Sequence, residues 1–155
     1  MKIEKSLNEV EVMALEMALP VVLDAEMPVR AVLRHLREFR SGYVLLTTGG
    51  NLVGIFTERD ALYKVLGAEA VLEQPVSAVM TAHPISVTEH DPISQAIHQM
   101  HHGGFRQMAV VDENRKVVGC VRHKDVIHYL VEHFADHVLN LPPNPAQVAT
   151  SPEGG

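Results

Sequence analysis

Asp60 and Asp125, 65 residues apart, hold the same place in two related stretches of this 155-residue chain. Thr57 stands three positions before Asp60, and Arg122 three positions before Asp125. A hydroxyl and an acid at that spacing can close a helix capping box, with Thr57 as N-cap and Asp60 as N3. Such a cap stabilises a helix by about 1 kcal/mol. The second stretch weakens the cap as a complete account, because Asp125 is kept where no capping threonine exists. An acid in a first helical turn still favours the helix dipole. Arg106 adds a planar guanidinium, which either grips a phosphate through two parallel bonds or pairs with a surface carboxylate.

Ten histidines invite a metal reading. His98, His101 and His102 fall near the end of one expected helix, and His133 and His137 are spaced i, i+4, a separation at which two imidazoles can bind Zn²⁺. No glutamate lies between them in a His-Glu-x-x-His pattern, and the single cysteine, Cys120, falls in an apolar strand. Solvated helix faces are therefore the favoured reading, and no metal is expected. Cys120 is expected to be an inert core thiol. Catalytic signatures are absent: there is no Gly-x-Ser-x-Gly, no P-loop and no Gly-x-Gly-x-x-Gly. Nothing in the chain can be assigned as nucleophile or base, and the protein is not expected to be an enzyme.

These residues take their meaning from a duplication. Residues 20–66 and 84–131 carry one pattern twice: Pro20 matches Pro84, Pro28 matches Pro92, Gly54 matches Gly119 and Asp60 matches Asp125. Each copy reads strand, helix, strand, strand, helix. First strands are expected at 20–23 and 85–87. Pro28 and Pro92 suit the first helical position, with Asp91 as N-cap in copy two. Val29, Val32, Leu33 and Leu36, then Ile93, Ala96, Ile97 and Met100, repeat the spacing of one helical face. Strand pairs at 43–47 and 52–56, and at 107–111 and 117–121, are joined by Gly49-Gly50-Asn51 and by Asp112–Arg115, which is hairpin chemistry. Helices at about 58–66 and 124–139 close the copies. One helix pair leaves strand surface open, so the two sheets should pack together with a ligand-sized cleft where they meet. The fold class is thus α/β (α+β), two β-α-β-β-α repeats related by a pseudo-two-fold.

The remaining segments read more simply. Residues 1–19 are expected as an amphipathic helical segment with Val10, Met13, Ala14 and Met17 on one face. Repeat one occupies 20–66, a surface linker 67–79, repeat two 80–140, and the Pro/Ala/Ser/Gly-rich tail 141–155 is expected to be disordered. The balance of 13 Lys+Arg against 19 Asp+Glu disfavours nucleic-acid backbone as a partner. No apolar run approaches the roughly 20 residues of a membrane span, and no signal-peptide stretch follows Lys2–Lys5. A lone cysteine fits a reducing cytoplasm.

At Gly54-Ile-Phe-Thr57-x-x-Asp60 the chain closely resembles the tandem CBS domain, or Bateman module. Val79-Met80-Thr81-x-x-Pro84 and the run from Phe105 to Asp112 carry the same resemblance, which covers about residues 15–135. It implies an adenine nucleotide (AMP, ADP or ATP), S-adenosylmethionine or an NAD-like compound bound between the copies. Thr57 and Asp60 would hold the ribose, the apolar first strand around Val22 together with Ile55 would face the base, and Arg106 would meet phosphate. Asp125 and Arg122 would form the second, altered site, with Arg122 either meeting a phosphate or filling the cleft. The resemblance also implies a homodimer paired through helices. The chain as read carries no attached enzyme or transporter domain, so its output is expected to pass to an unknown effector protein. The leading expectation is a regulatory, ligand-sensing module. The alternatives are a dimerisation scaffold with vacant clefts and, more weakly, a metal-responsive protein.

Overall fold

The structure, a computed structural model, describes residues 2–139, with side chains described for residues 5–134. The tail expected at 141–155 lies outside the described residues. Copy one contains β1 (Val22–Asp24), α2 (Val29–Glu38), β2 (Tyr43–Thr48), β3 (Asn51–Thr57) and α3 (Glu58–Lys64). Copy two contains β5 (Ser86–Thr88), α4 (Ile93–Gly103), β6 (Gln107–Val111), β7 (Val117–Arg122) and α5 (His123–Leu139). Ahead of them run α1 (Lys2–Glu9) with a 3-10 turn at Val12–Ala14, and two further 3-10 turns (Glu69–Glu73 and Val76–Ala78) with β4 (Thr81–Ala82). The expected α+β duplication is what forms, with the first strands beginning at Val22 and Ser86.

In each copy the first strand pairs parallel with the second, and the second antiparallel with the third, giving orders β1-β2-β3-β4 and β5-β6-β7. Gly49 and Gly50 both adopt positive φ, which a tight turn between right-twisted strands demands and glycine supplies without strain. Strand residues alternate faces. Val44, Leu46 and Phe56 turn toward the helices, where Val29, Val32 and Leu36 meet them at the expected helical spacing. Ile93, Ala96 and Met100 cover Met108, Val110 and Val121 in the same way. The opposite faces meet between the copies, where Leu45, Leu52, Ala109 and Val111 form a shared layer.

The lead-in segments are exchanged between the copies. Val12 and Leu15, which precede copy one, are buried in the core of copy two, while Val76, which precedes copy two, is buried in the core of copy one. The strand pairing follows: β4 pairs with β3 at Gly54 and Ile55, and Ala18 bridges to Cys120. A Cβ on Gly54 would collide with Met80, and one on Gly119 would lie 3.0 Å from the Met17 sulfur, so both glycines admit the incoming segment.

That exchange overturns three expectations. The helix at 1–19 stops at Glu9 because the next residues direct their backbone to copy two: Val12 N–H donates to Asp91 O at 2.8 Å and Ile93 N–H to Val10 O at 2.9 Å. Val12 and Leu15 go inward, leaving Met13 at 52% exposure. Pro28 and Pro92 are not the first helical residues but extended N-caps, with ψ of 143° and 148°. The first helical amides, on Val29 and Ile93, are satisfied by Gln74 and Val10 of the exchanged segments, so Asp91 does not cap. It accepts from Thr88 N–H at 2.8 Å instead. The stretch 67–79 is no surface crossing throughout, since Val76 is fully buried.

Two predictions follow from these contacts. Val76→Ala is expected to cost about 2 kcal/mol and to speed amide exchange chiefly in copy one, while Val12→Ala does the same in copy two. Exchange that quickened in the copy containing the substitution would contradict the exchange of segments. His90 meets Glu11 at 3.1 Å, with Glu89 also near it. The hydrogen bond to Glu11 and that residue's charge raise the imidazole pKa, with Glu89 and Glu113 adding smaller pushes. The folded pKa is the raised one, so the pair's contribution is full below about pH 6.5 and is lost as pH rises through the folded value. Glu11→Gln should therefore lower the Tm slightly at about pH 5.5 and not at about pH 8.5. A Tm difference that grew with pH would contradict it.

Candidate functional site

Thr57 ends β3 and caps α3, so one residue fixes both the strand edge and the helix start. Its hydroxyl accepts from Asp60 N–H at 3.1 Å, and its own N–H donates to Asp60 Oδ2 at 3.0 Å, which completes the capping box. The Asp60 carboxylate has further partners. Thr81 Oγ1, on the exchanged strand β4, lies 3.3 and 3.4 Å from its two oxygens, and Lys64 Nζ lies 3.0 Å from Oδ1. Lys64 also donates to Val79 O at 2.9 Å. The carboxylate thus ties α3 to the lead-in of copy two.

In front of Thr57 and Thr81 lies a cavity of about 290 Å³ between the copies. Leu45 and Ile55 form its copy-one wall, and Gln107, Met108 and Ala109 the opposite one. His83, Pro84 and Ile85 close one side, with Phe105 facing them. The volume is near the lower end of the about 300–1,000 Å³ usual for small-molecule sites, and the lining has their usual character of apolar walls with a few polar groups. A flat ring suits the apolar slot. Hydroxyl donors suit the end where Thr57 and Thr81 stand before the Asp60 carboxylate.

Of the residues singled out in the sequence, Thr57 and Ile55 line this cavity and Asp60 stands behind it. Arg106 does not reach it. Arg106 lies just ahead of β6 and does not line the cavity; it is exposed in a groove between α4 and α5, with its carbonyl accepting from His123 N–H. Val22 is also elsewhere: β1 lies at the edge of its sheet with β2 between it and β3, and the matching part of the wall comes from His83–Ile85 of copy two. Sequence reasoning missed Lys64 and His83. Lys64 was signalled by its i, i+4 spacing from Asp60. His83 has φ of 51°, uncommon for a non-glycine residue, and no sequence signal marked it.

Asp125 and Arg122 come together, but with each other. Arg122 Nε donates to Asp125 Oδ2 at 2.9 Å and Nη2 to Oδ1 at 2.7 Å. Arg122 N–H donates to Oδ2 at 2.8 Å, the same bond that Thr57 N–H makes to Asp60. The cap therefore does account for Asp125: the acid half of the box operates without a threonine. The hydrogen bonds it donates to Asp125 raise the Arg122 pKa further, so the guanidinium stays charged. Beside this pair, Tyr43 O–H donates to Cys120 Sγ at 3.0 Å across the copies. Burial pushes the Tyr43 phenol well above its ordinary value and raises the Cys120 thiol as well. Among the described residues no group of three or more His, Cys, Asp and Glu could hold a metal ion. His98 and His102 stack on one another at 4.0 Å between ring centroids, and the His137 side chain lies outside the described ones. No helix among the described residues is long and apolar enough to cross a membrane.

A duplicated β-α-β-β-α unit with exchanged lead-in segments and an inter-repeat cavity defines a class of paired module. The CBS domain family model matches residues 12–67 and 76–132, and the chain belongs to that family as a tandem pair. Both matches start at or beside the equivalent 3-10 turns, at Val12 and Val76. The chain is 37% identical over 108 residues to the CBS domain-containing protein CBSCBSPB1 of Arabidopsis thaliana, an alignment covering 69% of this chain and 19% of that protein. It spans about a fifth of the length of such curated relatives. Among solved structures, the CBS domain protein PAE2072 from Pyrobaculum aerophilum, complexed with AMP, superposes with a TM-score of 0.69 at 25% identity, covering 82% of this chain and 99% of that one. The cytosolic domain of the Mg²⁺ channel MgtE, in complex with ATP, gives 0.67 at 25% identity, covering 81% and 52%.

The two helix starts, at Thr57 and at Asp125, predict unequal responses. Thr57→Ala should cost about 1 kcal/mol through the lost cap. Asp125→Ala should cost on the order of 2 kcal/mol, the figure for breaking a buried pair discounted for the solvent that reaches Arg122. Urea titration of both variants checks the order, and equal midpoint shifts would contradict it.

Proposed function

We propose that this module is a regulatory sensor that binds an adenine nucleotide or adenosyl compound in the cavity in front of Thr57 and Thr81. The observation that carries this reading is the pairing of an apolar slot between the copies with a carboxylate and two hydroxyls at its end. The base lies between Ile55, Ile85 and Ala109. The vicinal hydroxyls of the ribose are recognised by Asp60, displacing the two long contacts from Thr81, since a carboxylate offers about four lone-pair sites. Lys64, held at Asp60, and His83, in the cavity wall, are the side chains that offer N–H donors to a phosphate, and Arg106 contributes only if its side chain swings round Phe105. AMP in PAE2072 and ATP in the MgtE domain support this ligand class.

Both walls of the cavity belong to different copies, so a ligand that prefers one spacing of the copies shifts the population of that spacing. The output passes through homodimer pairing or to an effector protein, in the cytoplasm, with no catalytic step in this module. A scaffold without ligand is the competing reading, and it is favoured by the completeness of Asp60's internal hydrogen bonds.

A thermal-shift series with AMP, ATP and S-adenosylmethionine on wild type, Asp60→Ala and Asp125→Ala decides between them. At 100 times its dissociation constant the right ligand should add about 2.7 kcal/mol, or roughly 5–10 °C. The increment should vanish in Asp60→Ala and survive in Asp125→Ala. No increment with any of the three would leave the scaffold.

A further inference from the structure

The two inter-repeat clefts are related by the duplication, yet they are furnished differently. Position by position, Thr57 corresponds to Arg122, Asp60 to Asp125, Ile55 to Cys120 and Gln107 to Tyr43. At the first cleft Ile55 and Gln107 stand on opposite walls of an open cavity. At the second, the equivalent side chains touch: Tyr43 reaches across from copy one and its hydroxyl closes on the Cys120 sulfur at 3.0 Å. Where the first cleft has a short hydroxyl in front of its aspartate, the second has a guanidinium that takes both oxygens of Asp125. Asp125 is the one charged residue in the buried set among the described residues. Its carboxylate accepts three bonds from Arg122, two of them from the charged fork, which a neutral ribose diol does not displace.

We propose that Arg122 and Tyr43 form a built-in plug, so that the chain takes one ligand, at the Thr57 cavity only. The plug mimics what a ligand would supply. The Arg122 fork stands where hydroxyl donors would stand, and the Tyr43 ring stands where a base would lie. Burial raises the phenol pKa, so it remains a hydrogen-bond donor to sulfur into alkaline solution as well as across the neutral range. One site per chain also means that binding within a chain shows no site-to-site cooperativity, and any cooperativity must come from a second copy.

This inference rests on the nucleotide reading for its stoichiometry, but not for the plug itself, and two readouts separate them. Cys120 is the chain's single cysteine, so reaction with Ellman's reagent reports on this cleft alone. The full chain is compared with the double variant Arg122→Thr/Tyr43→Gln, which copies the first cleft's residues onto the second. Wild type should react slowly and bind one AMP per chain by calorimetry. The double variant should react about tenfold faster or more, as a buried thiol becomes reachable, and should bind two AMP per chain. Two AMP on the wild type, or a folded double variant whose thiol stays slow, overturns the proposal, as does an opened variant that still binds one AMP. If the double variant does not fold, Tyr43→Gln alone leaves the Arg122–Asp125 pair in place, and an unchanged thiol rate there overturns it equally. A wild type that binds no AMP while the variant's thiol opens removes the nucleotide reading and leaves the plug standing.

Discussion

The exchange of lead-in segments between the two copies is the constraint on which the rest depends. Val12 and Leu15 complete a core to which copy one otherwise contributes little, and Val76 does the reverse. Neither copy has a filled core by itself, so burial of these side chains drives the two halves to fold as one body. The exchange also sets geometry. Because β4 is held against β3, Thr81 is delivered beside Asp60, and His83–Ile85 are delivered to the cavity wall. The site exists because a segment of copy two has to cross copy one to fill its core.

The same constraint explains why the cavity joins a stable element to a responsive one. Thr57 and Asp60 sit in a capping box that any helix could use, with Lys64 as an ion-pair partner on the following turn. These contacts hold the carboxylate in place, which lowers the ordering cost of binding under the proposed nucleotide reading. The opposite wall comes from another copy. A molecule bridging the two therefore senses their spacing rather than the conformation of either one, and that is the property a regulatory module needs.

Duplication makes two clefts, and only local chemistry makes them different. Both aspartates accept the amide three residues before them, which preserves the helix start in each copy. Beyond that shared role they diverge. Thr57 leaves Asp60 reachable past small hydroxyls, while Arg122 covers Asp125 with its own charge. An ion pair of this kind adds little net stability against a well-packed apolar substitute, but losing one partner is costly. Arg122 and Asp125 therefore persist together, and the structural role of the second cleft does not require a ligand.

Much of this was legible in the residues alone. Paired prolines, glycines and aspartates at a constant offset established the duplication, and the i, i+3, i+4, i+7 apolar spacing placed α2 and α4. Gly49-Gly50 marked its hairpin, and Thr57-x-x-Asp60 marked the start of α3. These are local signals, because helix periodicity, turn conformation and capping act over a few residues. What escaped was non-local. The sequence has no sign that the segment near Val12 abandons its helix for copy two, because the competing partner, Asp91, lies some eighty residues away. Arg106, just ahead of β6, falls in the groove between α4 and α5 rather than in the cavity, and the sheet order leaves Val22 at an edge; both were invisible until the elements had packed. The chain by itself determined two repeats and two aspartates at equivalent helix starts. Only tertiary packing decided that Asp60 stands behind an open cavity while the other cleft is closed, because that depends on Tyr43 and on His83–Ile85 being brought across from the other copy.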